Sequence, residues 1–176
     1  MKKLVFLEGL PNVGKTTILN YIKDMHLNNV HIVNEIENKE ILDNINGNQE
    51  QYIKNDELKL NKFKRGVIVF DRGPISTLAY NLASKEINKE FDSDLVSKWF
   101  MDNLDNFSDA HVYYLVRNDG SYFLPYVDEK DPYGSVDNQR VLDKITREII
   151  DKYFVNKKIV INEKKGVKEL IDEIIS

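Results

Sequence analysis

Residues 6–19, FLEGLPNVGKTTIL, set an apolar run on each side of GLPNVGKT, which satisfies the spacing G-x-x-x-x-G-K-[ST]. The residues before it, KLVFL at 3–7, read as a buried strand, and residues 15–26 after it read as a helix. A strand that feeds a glycine-rich loop opening a helix is the context in which this motif holds a nucleotide. Backbone amides of residues 12–17, reinforced by the positive end of the helix, would face a phosphate. Lys15 would bridge the β- and γ-phosphates, and the Thr16 hydroxyl would hold Mg²⁺. Gly9, Asn12, Val13, Gly14, Lys15, Thr16 and Thr17 are therefore the expected ATP-binding residues, with ATP and Mg²⁺ the expected cofactors.

Beyond the loop the chain alternates strands and helices. VHIVNE (30–35), GVIVFD (66–71), AHVYYLV (110–116) and KIVIN (158–162) read as four further strands. Helices are expected over 48–64, 74–86, 92–106 and 136–154, and in the closing VKELIDEII. The first of these, NQEQYIKNDELKLNKFK, is polar with spaced apolar residues and reads as an exposed helix. Strands that are nearly continuous apolar runs, alternating with helices, predict an α/β fold with a parallel sheet covered on both faces. Residues 1–176 are expected to form a single domain. The stretch 118–136, rich in Asp, Gly, Pro and Tyr, fits neither element type, so a lid-like segment is expected over about 118–147.

Composition narrows the function classes. The chain has 176 residues, 41% hydrophobic and 31% charged, and a net charge of −4. No basic stripe points to nucleic acid. The absence of cysteine excludes disulfides, thiolate metal sites and thiol redox chemistry. MKKLVFLEG has two lysines ahead of an apolar run, but Glu8 interrupts it too early for a signal peptide, and no stretch could span a membrane. A cytoplasmic protein without a membrane partner is expected. His26, His31 and His111 lack ligand spacing.

A second constellation lies in VIVFDRGPISTLAY (67–80). Asp71 ends an apolar strand where a carboxylate reaches a metal through water, so Thr16 and Asp71 form the expected metal pair. Arg72 follows at the carboxyl edge of the sheet, where its guanidinium suits a transferring phosphoryl group or an acceptor's phosphate. Glu35 falls at the same edge and would take a proton from an acceptor hydroxyl, or orient a sugar, with Glu37 as its rival. Lys15, Glu35, Asp71 and Arg72 are the expected catalytic residues. The chain has only five arginines, at 65, 72, 117, 140 and 147. Arg117 ends the fourth strand, and Arg140, Lys144 and Arg147 share a helix face just after the lid, so these four are expected to serve the phosphates. Tyr113, Tyr114, Tyr122, Phe123, Tyr126 and Tyr133 gather around the fourth strand and the lid, where some could stack a base. Trp99 and Phe100 are spaced as packing residues.

These two segments resemble the thymidylate kinase and deoxynucleoside kinase group of P-loop kinases. FLEGLPNVGKTT is similar to that group's F-x-E-G-x-x-x-x-G-K-[ST]-T, and DRGPISTLAY to D-R-x-x-x-S-x-x-A-Y through Asp71, Arg72, Ser76, Ala79 and Tyr80. The resemblance implies a five-stranded parallel sheet in the order 2-3-1-4-5, phosphate and Mg²⁺ at Lys15 and Thr16, and the acceptor's 5′ end at Arg72. It also implies a base at Glu35, a lid role for Arg140, and a homodimer packed through helices. The chain departs from the group at Pro11, Asn12 and Gly73, in VNEIENK after the second strand, and in having no arginine between 118 and 139. The implied activity is ATP- and Mg-dependent transfer of the γ-phosphate to a small-molecule acceptor, a nucleoside or nucleoside monophosphate. A non-catalytic ATP sensor, or a kinase for a non-nucleoside compound such as an antibiotic, remains compatible. A GTPase is not, because the N-K-x-D segment is missing.

Overall fold

A computed structural model describes residues 1–44, 47–116, 131–161 and 166–176. The strands β1 (Lys2–Glu8), β2 (Val30–Val33), β3 (Gly66–Asp71), β4 (His111–Val116) and β5 (Lys157–Ile161) pair in parallel in the order β2-β3-β1-β4-β5. This is the expected sheet. Around it lie α1 (Lys15–Asp24), α2 (Lys39–Asp43), α3 (Gln49–Asn61), α4 (Pro74–Ile87), α5 (Asp94–Asn103), α6 (Val136–Tyr153) and α7 (Val167–Ile175). Helix α4 packs against α5 and α6, whereas α1 packs against α7.

The central strand explains the apolar run that opens the sequence. Leu4 to Leu7 of β1 are all buried, because strands pair on both edges and helices cover the sheet. The Phe6 ring stands edge-on to Phe70 at 5.1 Å and lies 6.2 Å from Phe154, in a cluster that continues through Phe107 and Phe100. Phe100 and Trp99 are packing residues, as their spacing predicts, with the Trp99 indole donating to Glu57 Oε1 at 3.0 Å.

Register decides what meets at the carboxyl edge. Leu7 pairs with Asp71 and Glu8 with Tyr114, while Val33 pairs with Phe70. The segments leaving β1, β2 and β3 therefore emerge side by side. Gly73 begins α4 directly over the core: a Cβ there would lie 2.9 Å from the Phe6 ring. Phe6 is itself fully buried and cannot yield. Gly73→Ala is therefore expected to cost about 1–3 kcal/mol in chemical denaturation, as overpacked cores do, and an unchanged midpoint would contradict this.

Several elements differ from the sequence reading. The second strand stops at Val33, so Glu35 sits on the following loop rather than at the strand end. Helix α2 is short and polar in context; the Asn38 side chain caps it by accepting from the Glu40 amide at 3.1 Å. Helix α3 reverses the expectation of an exposed helix, since its buried residues are Asn55, Asp56 and Lys59. Asn55 and Lys59 meet the carbonyls of Glu35, Asp71 and Arg72 beside Ile53 and Leu60, which pack on the core, so polar residues belong inside. DPYG (131–134) forms a 3₁₀ turn in which Asp131 accepts from the Tyr133 amide at 2.9 Å. Arg117, Tyr122, Phe123, Tyr126 and residues 118–130 of the expected lid lie outside the described residues.

Candidate functional site

The loop after β1 turns through left-handed backbone at Gly9 (φ 145), Asn12 (φ 65) and Gly14 (φ 93). Gly9 passes so close to β4 that a Cβ would stand 2.8 Å from the Leu115 carbonyl oxygen. Asn12 replaces a glycine at little cost, because asparagine is among the side chains that best tolerate this conformation. Such alternation turns successive amides inward into an anion-binding concavity at the start of α1. Val13 is buried beneath the loop, while Thr16 and Thr17 are exposed at the open end of the helix.

Lys15 Nζ donates to the carbonyls of Gly9 at 3.0 Å and Leu10 at 3.1 Å. Burial lowers its pKa to about 7, the Arg72 charge adding to the effect while Asp71, Glu35 and Glu8 oppose it. A buried ammonium whose hydrogen bonds among the described residues go to carbonyls gains from a nearby polyanion. Among the described residues no cluster of three or more acidic or imidazole side chains could hold a metal alone. Asp71, however, keeps a buried Oδ1 without a hydrogen-bond partner among the described residues. One carboxylate and one hydroxyl, completed by phosphate oxygens and water, are a donor set that suits Mg²⁺. Thr16 and Asp71 fit that ion.

Arg72 adopts φ 58, a left-handed backbone that costs a non-glycine residue roughly 1–2 kcal/mol. Three contacts hold it there. The Arg72 amide donates to the Leu7 carbonyl at 3.1 Å, its carbonyl accepts from Lys59 Nζ at 2.6 Å, and the next amide, Gly73, donates to Glu8 Oε1 at 2.7 Å. The side chain then reaches Glu35, with Nη1 2.7 Å from Oε1, and its guanidinium lies 5.3 Å from the centre of the Tyr80 ring. Burial works against the Arg72 charge, but Tyr80, Glu35, Glu8 and Asp71 outweigh it. Glu37, the rival carboxylate, is committed elsewhere: it accepts from Asn34 and pairs with Lys62 at 2.8 Å.

Lys59 and Glu8 escaped the sequence reading. Lys59 Nζ donates to the carbonyls of Glu35, Asp71 and Arg72, which ties the ends of β2 and β3 together. Its signal was present only as a lysine on a helix face whose orientation sequence patterning could not give. Glu8 is fully buried and also accepts from the Ser76 hydroxyl, which accounts for both the Glu of FLEG and the Ser of DRGPIS. Burial raises its pKa to about 7 from a usual 4.5, against the pull of Ser76, Gly73, Arg72 and Lys59. A carboxyl that keeps its proton longer in the fold stabilises it fully below about pH 4.5 and loses that contribution as pH rises to about 7. The melting temperature of Glu8→Gln relative to the wild type is therefore expected to climb between pH 4.5 and 7. A gap that stays constant with pH would contradict this origin.

A cavity of about 670 Å³ opens beside Arg72 between α3 and α4. Tyr52, Phe91, Tyr80 and Tyr133 give it aromatic walls, and Glu35 lines it beside Arg72. The Tyr133 hydroxyl donates to the Tyr80 carbonyl at 3.0 Å, and the two rings meet edge to face at 4.9 Å. Burial pushes the Tyr133 pKa up to about 12, so it stays a neutral donor. Tyr113 and Tyr114 are both buried in β4 and do not line this cavity. Arg140, Lys144 and Arg147 do not line it either. On α6 they pair with Asp137, Glu148 and Asp143, and Arg147 also covers the Tyr114 ring at 5.0 Å.

No family model and no curated protein matches the sequence. Solved structures do match in fold. Thymidylate kinase from Candida albicans superposes with a TM-score of 0.65 at 15% identity, over 98% of this chain and 89% of that one. Deoxyadenosine kinase from M. mycoides with bound dATP gives 0.65 at 18% identity, over 98% of both chains. The YorR protein of Bacillus subtilis, in complex with phosphorylated GDP, gives 0.64 at 18% identity, over 98% of this chain and 94% of that one. The chain has the P-loop kinase fold of these structures.

Proposed function

We propose that the protein is an ATP- and Mg-dependent phosphotransferase whose acceptor is a nucleoside, offering a hydroxyl rather than a phosphate. The observation that carries this reading is the Glu35–Arg72 pair at 2.7 Å, set between the glycine loop and the aromatic cavity. Lys59 spends its donors on three carbonyls and Arg72 Nη1 is held by Glu35, while Arg72 Nε, buried and without a hydrogen-bond partner among the described residues, is left for the transferring group. A hydroxyl acceptor asks only for a nearby base and a charge to neutralise the transfer. Neighbours in fold include thymidylate kinase and deoxyadenosine kinase, which supports a nucleoside or nucleotide substrate.

In this reading the inward amides of residues 12–17 and Lys15 hold the β- and γ-phosphates in line with the cavity. Mg²⁺ held by Thr16 and Asp71 would neutralise developing charge on the phosphate oxygens. Glu35 accepts the hydroxyl proton as the acceptor oxygen bonds to the γ-phosphorus and the bond to the bridging oxygen of ADP breaks. Arg72, released in part as Glu35 is protonated, stabilises the transferring group. The aromatic walls exclude water, which would otherwise compete as acceptor. Transfer to a small molecule in a protein without a membrane-spanning helix among its described residues agrees with a cytoplasmic site of action. Thermal and hydrodynamic measurements would decide whether it acts as a dimer.

The test is ADP release with Mg·ATP across nucleosides and nucleoside monophosphates. Turnover stimulated by a nucleoside and not by its monophosphate supports the reading. Turnover with monophosphates alone would assign a phosphate acceptor, and ATP binding without any acceptor-dependent turnover would leave a nucleotide sensor.

A further inference from the structure

Past Arg72 the cavity wall carries hydrogen-bond acceptors from both α3 and α4. Asp56 of α3 lines the cavity, is 1% exposed, and has an Oδ2 with no hydrogen-bond partner among the described residues. Burial raises its pKa to about 6, with Lys59 and the Thr77 side chain acting in the opposite direction. Across from it on α4, Asn81 Nδ2 donates to the Thr77 carbonyl at 2.8 Å. A backbone carbonyl can only accept, so this contact fixes the amide orientation and leaves Asn81 Oδ1 as the acceptor atom for the cavity it lines. Thr77 and Asn81 stand four and eight residues beyond Gly73, about 6 and 12 Å along the helix. That offset leaves room for a sugar beside Glu35 and Arg72, with the ring it carries between the aromatic walls.

Other polar groups of the same wall are already used. Asn55 accepts from the amides of Glu37 and Asn38 and donates to the Glu35 carbonyl. Gln49 donates to the Asp92 carbonyl and accepts from the Val96 amide. The unmet need at this end of the cavity is for donors on the ligand. A buried acceptor left unmatched costs about 1–3 kcal/mol, which corresponds to roughly 5- to 150-fold in affinity.

We propose that Asp56, assisted by Asn81, reads an exocyclic amino group on the acceptor's base, so that the phosphate acceptor is an adenine, guanine or cytosine nucleoside and thymine or uracil nucleosides are rejected. An amino group, with an adjacent ring N–H in guanine, gives the carboxylate donors. Thymine and uracil turn carbonyl oxygens toward it on either side of their single N–H, and these lone pairs repel Asp56. The selection rests on the nucleoside reading above, but its binding part can be read separately.

The experiment measures binding of deoxyadenosine, deoxyguanosine, deoxycytidine and thymidine by calorimetry without ATP, then acceptor-dependent ADP release for the same four. At least one amino-bearing nucleoside is expected to exceed thymidine about 10- to 100-fold in affinity and in kcat/KM. Asp56→Asn, which replaces one acceptor oxygen with a donor, is expected to shift the ratio toward thymidine at least tenfold. Thymidine binding as well as the best of the others in the wild type overturns the proposal, as does binding of none of them. So does an equal loss for all four in a folded Asp56→Asn. Selective binding without any turnover would instead sink the kinase reading and leave Asp56 as the reader of the base.

Discussion

Lys15→Ala is expected to lower ATP-dependent turnover by roughly 10²–10³-fold or more while leaving the protein at least as stable at pH 7. The activity loss follows from removing the side-chain cation that the described residues place at the glycine loop, where charge stabilisation in a water-poor site is strongest. The stability expectation has a separate origin. Burial holds the Lys15 pKa near 7 against 10.5 in the unfolded chain, so the fold pays for this ammonium at neutral pH and recovers the cost as pH rises from about 7 to 10.5. A thermal scan at pH 7 alongside single-turnover kinetics separates the two. Wild-type turnover in the variant would remove the loop from the mechanism, and a collapse in melting temperature would make Lys15 a structural residue.

Arg72→Ala is expected to cut phosphoryl transfer roughly 10²–10³-fold and to change ATP affinity only a few-fold. Arg72 reaches Glu35 and Tyr80 on the cavity side, while its contact with the nucleotide loop is through the electrostatic field at Lys15. Alanine would inherit φ 58, so Arg72→Gly is the necessary companion. Glycine accepts that backbone freely and is expected to match alanine in lost transfer while exceeding it in stability by about 1 kcal/mol. Equal losses of ATP binding and transfer would place Arg72 on the nucleotide rather than between donor and acceptor.

The residues that announced themselves in the sequence are those whose chemistry is bound to a local pattern. Lys15 is legible because its loop needs fixed glycine spacing between a strand and a helix, and Arg72 because it follows an apolar strand end. The sheet order followed from the resemblance, and the alternation of apolar runs with helices is what a parallel sheet must show. Lys59, Asp56 and Glu8 lack any such local sign. Each is a charged residue turned inward toward partners from distant parts of the chain: Lys59 toward the carbonyls of Glu35, Asp71 and Arg72, Glu8 toward Gly73 and Ser76. Periodicity treats an inward lysine and an outward one alike, so α3 reads as exposed when its polar face is the buried one. Helix α2 was missed for a related reason, since a five-residue helix shows too little of a period to be seen.

The central position of β1 has a consequence for synthesis of the chain. Its loop is synthesised before either of the strands that flank it, since Lys2 pairs with Gly66 and Val5 with His111. The phosphate cradle therefore waits, unsupported on both sides, until the fourth strand has been made. Such distant pairings slow folding, because loop closure must come before any contact repays it. A ligand of this loop meets a shaped cradle only once β4 has been made, and only then can ligand and sheet stabilise each other.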